Sequence, residues 1–265
     1  IKSTSLSING YLYRVKINTD QYACNVYSES GVELRVEPNI PIANLIDNII
    51  RCDDDSYGSF EDGIVSGWDL ENKISEILDG NVNLNKLLIT FHLTVEDAND
   101  LTSSGIENPD DFTNIDSPNA EEIFVRVLND ETKCFNAETS FNIIVEPLPV
   151  ANPVTISRQC DGDAGDESQD GLYPFDTSNI QTNLLNGQTN VTTYYYYKDD
   201  DDNDVLIGNE LPNPFVSGSQ IITIQVENNT PQKCYDETTL EFIVDDTPEA
   251  YAVVVEDQCD DGPSD

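Results

Sequence analysis

The chain has 265 residues, 51 acidic and 12 basic, for a formal net charge of −39. So acidic a surface excludes the counterion-releasing contacts of a nucleic-acid binder and the basic route to an anionic membrane. It favours solubility and invites divalent cations. Hydrophobic residues make up 38% of the chain and fall in alternating runs, which predicts a folded rather than a disordered protein.

No run of about 20 apolar residues occurs, so no transmembrane helix is predicted. The opening IKSTSLSING has neither the charged nor the apolar region of a signal peptide, and the chain contains no methionine. It reads as a piece of a longer polypeptide.

In chain order, YRVKINTDQYACNVYSESGVELRVEPNIPIA (13–43) matches IFVRVLNDETKCFNAETSFNIIVEPLPVA (123–151) and ITIQVENNTPQKCYDETTLEFIVDDTPEA (222–250). These blocks carry Cys24, Cys134 and Cys234 and end in Pro-x-Ala. A second set of cysteines, Cys52, Cys160 and Cys259, follows the blocks at spacings of 108 and 99 residues. Pro41, Pro149 and Pro248 have the same spacings. A fixed period of this kind marks a tandem array. The expected modules are 44–151 and 152–250, preceded by the end of one module (1–43) and followed by the start of another (251–265).

Each module reads as all-β. WDLENKISEILDG (68–80) is an exception, a helical turn with Leu70, Ile74 and Ile77 or Leu78 on one face, ending at Gly80. FDTSNIQTNLLNG (175–187) takes the same place in the second module. ITFHLTV predicts a strand in which His92, the single histidine, is a pleat residue. Period-two alternation then places Ile123, Val125 and Val127 inward, with Phe124 and Arg126 outward. It likewise turns Ile222, Ile224 and Val226 inward. Last strands follow with Val32, Leu34 and Val36, with Phe141, Ile143 and Val145, and with Leu240, Phe242 and Val244. The tyrosine run puts Tyr194 and Tyr196 on one face and Tyr195 and Tyr197 on the other. Several such strands in about 100 residues suggest tandem immunoglobulin-like β-sandwich modules with a short helical turn between early strands.

The cysteines allow two regular schemes. Within modules, Cys52 pairs with Cys134 and Cys160 with Cys234, leaving Cys24 and Cys259 unpaired within the chain. Across boundaries the pairs are Cys24–Cys52, Cys134–Cys160 and Cys234–Cys259. Twenty-six residues separate Cys134 from Cys160, enough to span roughly 85 Å when extended, whereas a disulfide needs Cα atoms within about 7 Å. The boundary scheme thus requires the chain to double back, and the within-module scheme is expected. No two cysteines are close enough in sequence for a zinc motif. Disulfides imply an oxidising compartment outside the cytosol.

The loop after each early cysteine is acidic. CDGDAGDESQDG (160–171) and CDDDSYGSFEDG (52–63) both miss the EF-hand register: from Asp161 position six is Asp166 and position twelve is Leu172. These loops, like DDDDND at 199–204, read first as solvated turns. A calcium site of another class is the alternative, with Asp53, Asp55, Asp161, Asp163 and Asp170 as its candidate ligands and calcium as the sole candidate cofactor. No catalytic constellation stands out.

CDxD-x-G, the [FW]D helical turn, VEDANDLTSSGIENPDDFTNIDS, IFVRVLNDETKCFNAETSFNIIVEPLP and CYDETTLEFIVDDTPEA together resemble the tandem repeats of large type IX-secreted Bacteroidetes surface proteins, including gliding-motility adhesins of the SprB type. The resemblance implies stalk or adhesin modules at the bacterial cell surface, without catalysis. Their partners would be neighbouring modules of the same chain and a surface or polysaccharide target. The alternatives are a calcium-stiffened carbohydrate-binding module, with Tyr195 and Tyr197 stacking on sugars, and the accessory region of a secreted hydrolase.

Overall fold

The computed structural model describes residues 40, 42, 43, 45–78, 86–162, 169–248, 251, 253 and 254, and the strand paths of 11–13, 16–18, 25–27 and 32–34. Two compact units meet between Val145 and Glu146. In the first, short β1 (Tyr11–Tyr13) pairs antiparallel with β4 (Val32–Leu34), and β2 (Lys16–Asn18) pairs antiparallel with β3 (Asn25–Tyr27). Val36 of the expected last strand lies outside the described residues.

The main sheet of the first unit uses β5 (Ile49–Cys52), β6 (Leu87–His92), β7 (Ala120–Asn129) and β8 (Phe135–Glu146), in the order β5-β8-β7-β6. The alternation of β7 and β8 explains the pairing: Ile123, Val125, Val127, Phe141, Ile143 and Val145 all point into the core. Opposite them, Trp68 and Phe112 form a single antiparallel bridge. From Trp68 the chain turns into a 3₁₀ segment (Leu70–Lys73) and α1 (Ile74–Ile77). Asp69 caps this turn by accepting the Asn72 N–H at 3.3 Å. The expected end at Gly80 lies outside the described residues.

In the second unit β9 (Gln159–Cys160) and β10 (Tyr173–Phe175) precede α3 (Ile180–Leu185). Next come β11 (Val191–Lys198), β12 (Asp204–Gly208), β13 (Phe215–Ser217), β14 (Gln220–Asn228), β15 (Tyr235–Phe242) and β16 (Val244–Asp245). The larger sheet runs β12-β11-β14-β15. One residue past β15, β16 takes β9 in parallel, with Gln159 opposite Val244 and Cys160 opposite Asp245. The small second sheet is the antiparallel pair β10–β13. Phe175, Phe215, Phe242 and Leu184 meet between the layers. First strand beside last, last beside penultimate, penultimate beside the middle strand, and a second sheet across the core: this is the strand order of an immunoglobulin-like sandwich. Both units are all-β with short helical turns.

Two details differ between the repeats. After β11 the acidic run makes a tight hairpin, because Asp199 Oδ1 accepts the N–H groups of Asp201 (3.0 Å) and Asn203 (2.9 Å) and Asp202 adopts φ 64°. After β6, Thr94 caps α2 (Val95–Asn99) by accepting the Asp97 N–H at 3.1 Å. The segment after α2 covers the outer face of the sheet. Arg126 points outward as expected, yet it is buried there, donating to the carbonyls of Asp100 and Ser103 at 2.7 Å each.

The Pro-x-Ala segment packs into the module that follows it. Ala151 and Val154 join the second core, and the Ala151 N–H donates to Asp236 Oδ2 at 2.8 Å. Ile40 and Ile46 likewise join the first core, and Asn136 Nδ2 donates to the Ile40 carbonyl at 3.2 Å. Each incoming segment therefore lies against the start of its module's last long strand.

Candidate inter-module cysteine sites

The late cysteine of each module closes the hairpin that leads into the last long strand. In the first unit the Asn129 N–H donates to the Cys134 carbonyl at 2.8 Å. The Asn129 side chain accepts from Glu131 and Thr132, which tightens the turn. In the second, Asn228 N–H donates to the Cys234 carbonyl at 2.8 Å. The residue before each cysteine is a lysine in the left-handed region, Lys133 at φ 60° and Lys233 at φ 54°. That conformation is uncommon for a residue with a side chain, and its recurrence marks one local design. Both cysteines sit beside the incoming segment, at the N-terminal end of their module.

The early cysteine sits at the other end. Cys160 lies opposite Asp245, and the Asp161 N–H donates to the Asp245 carbonyl at 2.8 Å. For Cys52 the placement runs through its neighbour. Asp53 Oδ2 accepts the Gly63 N–H (3.0 Å), the Gly63 carbonyl accepts the Asn119 N–H (2.8 Å), and the Asn119 carbonyl accepts the Val145 N–H (2.8 Å). Cys52 thus belongs beside the close of β8, while Cys134 immediately precedes its start.

This geometry corrects the expected pairing. Eleven residues of largely extended chain separate Cys134 from Val145, and eleven separate Cys234 from Asp245, or about 36 Å at a strand rise of about 3.3 Å. No disulfide bridges such a gap. Cys52–Cys134 and Cys160–Cys234 are accordingly not formed: Cys134 and Cys160 are free and exposed, whereas Cys52 and Cys234 are disulfide-bonded. The alternative pair Cys134–Cys160 is not formed either. Cys24 and Cys259, expected to be unpaired, lie outside the described residues.

The acidic loops hold these cysteines in place. Asp53 and Asp161, each directly after its cysteine, are 4% exposed. Asp53 Oδ1 accepts the Asp54 N–H at 3.0 Å. Asp161 Oδ2 accepts the Gly171 N–H at 2.9 Å, the counterpart of the bond from Gly63. Both glycines have positive φ, and a Cβ on Gly63 would come within 2.5 Å of the Asn119 side chain. A Cys-Asp pair with a glycine ten residues on is visible in both modules, and that recurrence was the available signal for this role. Of the other proposed calcium ligands, Asp55 is exposed, and Asp170 is exposed with Oδ1 accepting the Leu172 N–H. Asp163 lies outside the described residues. Among the described residues no group of three or more carboxylate, histidine or cysteine side chains is arranged to hold a metal.

Two aromatic or titratable candidates resolve as structural. Tyr195 is 1% exposed, and burial pushes its hydroxyl up to about 12; it is a core residue, so it cannot offer its ring to a sugar, and Tyr197 alone of that pair stays exposed. His92 in β6 is fully enclosed, with Nδ1 2.8 Å from Asp97 Oδ2 and Nε2 2.8 Å from Thr90 Oγ1. It anchors α2 to the sheet. Hydrogen bonds from Ser103 and then His92 hold the Asp97 carboxyl below its ordinary value.

No helix among the described residues is long and apolar enough to cross a membrane. No curated protein matches the chain. The profile of the Flavobacterium inter-domain disulphide bond domain matches twice, at residues 48–149 and 156–248. With the two repeats covering most of the sequence and bonded cysteines placed at the module ends, the chain belongs to the family of Flavobacterium inter-domain disulphide bond domains.

Proposed function

We propose that the protein is a non-catalytic repeat segment of a secreted surface protein, an extended stalk or adhesive array. Its modules are stapled by a disulfide between Cys52 of the first module and Cys234 of the second. The observation that carries this is positional. Cys52 lies at the C-terminal end of its module, Cys234 at the N-terminal end of the next, and both are disulfide-bonded. The family's description supports a bond between domains. Such a bond persists in an oxidising compartment, which supports an extracellular location. The resemblance to type IX-secreted gliding adhesins supplies the surface role. Repetition favours the same conclusion, since both modules keep the core, the hairpin and the Cys-Asp corner while the acidic turns vary.

Peptide mapping without reductant tests the staple. The expected product is one cross-linked peptide pair containing Cys52 and Cys234; a pair containing Cys52 and Cys134 overturns it. The stalk role is read from the parent protein on cells. Deleting one module is expected to shorten the surface projection by one repeat length, and an unchanged length overturns it.

A further inference from the structure

The outer face of the larger sheet is roofed in the first unit and open in the second. In the first, the segment after α2 covers that face and buries Arg126. In the second, the chain after β11 returns at once as β12, a further strand of the same sheet. Because Tyr195 is in the core, alternation puts Tyr194 and Tyr196 on the outer face, about 7 Å apart along β11. Both are half-buried. Thr223 and Thr239 lie in register with Tyr196, and Gln225 and Glu237 with Tyr194. β11 and β14 are interior strands, each paired on both sides, so this part of the face offers side chains and no free backbone edge.

The face is negative. Its two lysines are already committed: Lys233 Nζ lies 2.8 Å from Glu227 Oε1, and Lys198 Nζ lies 2.9 Å from Asp204 Oδ1. Glu237 is exposed and has no ion pair among the described residues. Burial, and then repulsion from Tyr194, Glu227, Glu237 and Asp204, push the Tyr196 hydroxyl above its ordinary range. It stays protonated, a hydrogen-bond donor between carboxylates.

We infer that this face binds a glycan chain bearing free amino groups. The two tyrosine rings offer an apolar surface to the C–H face of a pyranose, and their negative π-faces attract an ammonium group. Glu237 pairs with that ammonium through a charge-assisted hydrogen bond. Thr223, Gln225 and Thr239 supply donors and acceptors for sugar hydroxyls. The sign of the face favours a cationic chain over a neutral one and repels an anionic one. An extended basic peptide would draw its affinity from a free strand edge, which β11 and β14 do not provide. The inference rests on the adhesive reading above and names its target chemistry. The surface projection length that tests that reading does not depend on it.

The test titrates the 265-residue chain in a calorimeter with a short glucosamine oligomer, its N-acetylated form, a galacturonate oligomer and oligolysine. The glucosamine oligomer is expected to bind, more weakly as salt is added, with the N-acetylated form about tenfold weaker and galacturonate silent. Tyr196→Ala is expected to cost about tenfold and Tyr196→Phe, which keeps the ring, less than about threefold. Glu237→Gln is expected to bring the affinities for the two glucosamine oligomers together, while Asp110→Asn, which removes the same charge from an exposed turn of the first unit, changes neither. Equal binding of the N-acetylated form, or no binding of either, would overturn the inference. So would oligolysine binding as tightly as the glucosamine oligomer, which assigns the face to basic peptides. An equal loss in Asp110→Asn would reduce the attraction to the chain's overall charge and overturn it too.

Discussion

Reduction of the staple under load gives the sharpest test of the pairing. A bond between Cys52 and Cys234 encloses 182 residues. At up to about 3.6 Å per extended residue, that loop hides about 650 Å of contour length. Pulled by its termini in a single-molecule force experiment without reductant, the protein is expected to lengthen only through residues outside the loop. With dithiothreitol, one additional set of events totalling about 650 Å is expected. Within-module bonds would instead hide 82 and 74 residues, or about 300 and 270 Å. A junction bond between Cys134 and Cys160 would hide 26 residues, about 90 Å. Increments near any of these smaller values, or full extension without reductant, would refute the assignment. The same loop, treated by chain entropy, contributes about 5 kcal/mol against unfolding.

Three further outcomes follow from side chains inside the first unit. Asn114 is fully buried, accepts from Val65 N–H (2.9 Å) and Trp68 Nε1 (3.1 Å), and donates to the Gly63 carbonyl (2.9 Å). Asn114→Ala orphans these groups and is expected to cost about 3 kcal/mol, read by urea unfolding through the fluorescence of the single tryptophan; an unchanged midpoint contradicts the network. Glu121 is buried, its Oε2 has no partner among the described residues, and burial, with Asp116 adding repulsion, raises its carboxyl above the ordinary value. Its charge therefore opposes folding once the pH exceeds that raised value, so Glu121→Gln is expected to raise the melting temperature at pH 7 and to make no difference below about pH 4; stabilisation that persists into acid argues against it. Asp97 has the opposite sign. Its lowered carboxyl stabilises the fold above the ordinary aspartate range and loses that effect as pH falls through the lowered value. Asp97→Asn is expected to lower the melting temperature at neutral pH, with the gap to the parent protein closing in strong acid.

The sandwich was legible because its core alternates. Ile123, Val125 and Val127 read inward from period two alone, and all three are fully buried. Arg126 takes the outward face the same rule assigns, yet it is buried, because alternation reports the face of a sheet, not what covers it. The loop after α2 roofs that face, and it does so through carbonyls no residue pattern displays. The tyrosine run shows the ambiguity of two-sided strands. Tyr195 took the core position, and the turn that follows it was readable from its aspartates.

The cysteine pairing failed for a topological reason. Reach along the chain made the junction scheme the less favourable one, but it said nothing about which end of a module each cysteine occupies. That depends on β9 running parallel to β16, and parallel pairing of a first and a last strand leaves no trace in period or spacing. Once the pairing is known, the constraint is strict: the early cysteine travels to the far end of its own module, and the late cysteine waits at the near end. An intramodular bond would require the first strand to reverse. Reversal would carry Asp161 away from Asp245 and Gly171 and leave a buried carboxylate without its donor, a cost of about 1 to 3 kcal/mol for each corner. The Cys-Asp corner therefore does more than hold a turn. By fixing the direction of the first strand it keeps the thiol beside it at the opposite end of the module from that module's late cysteine.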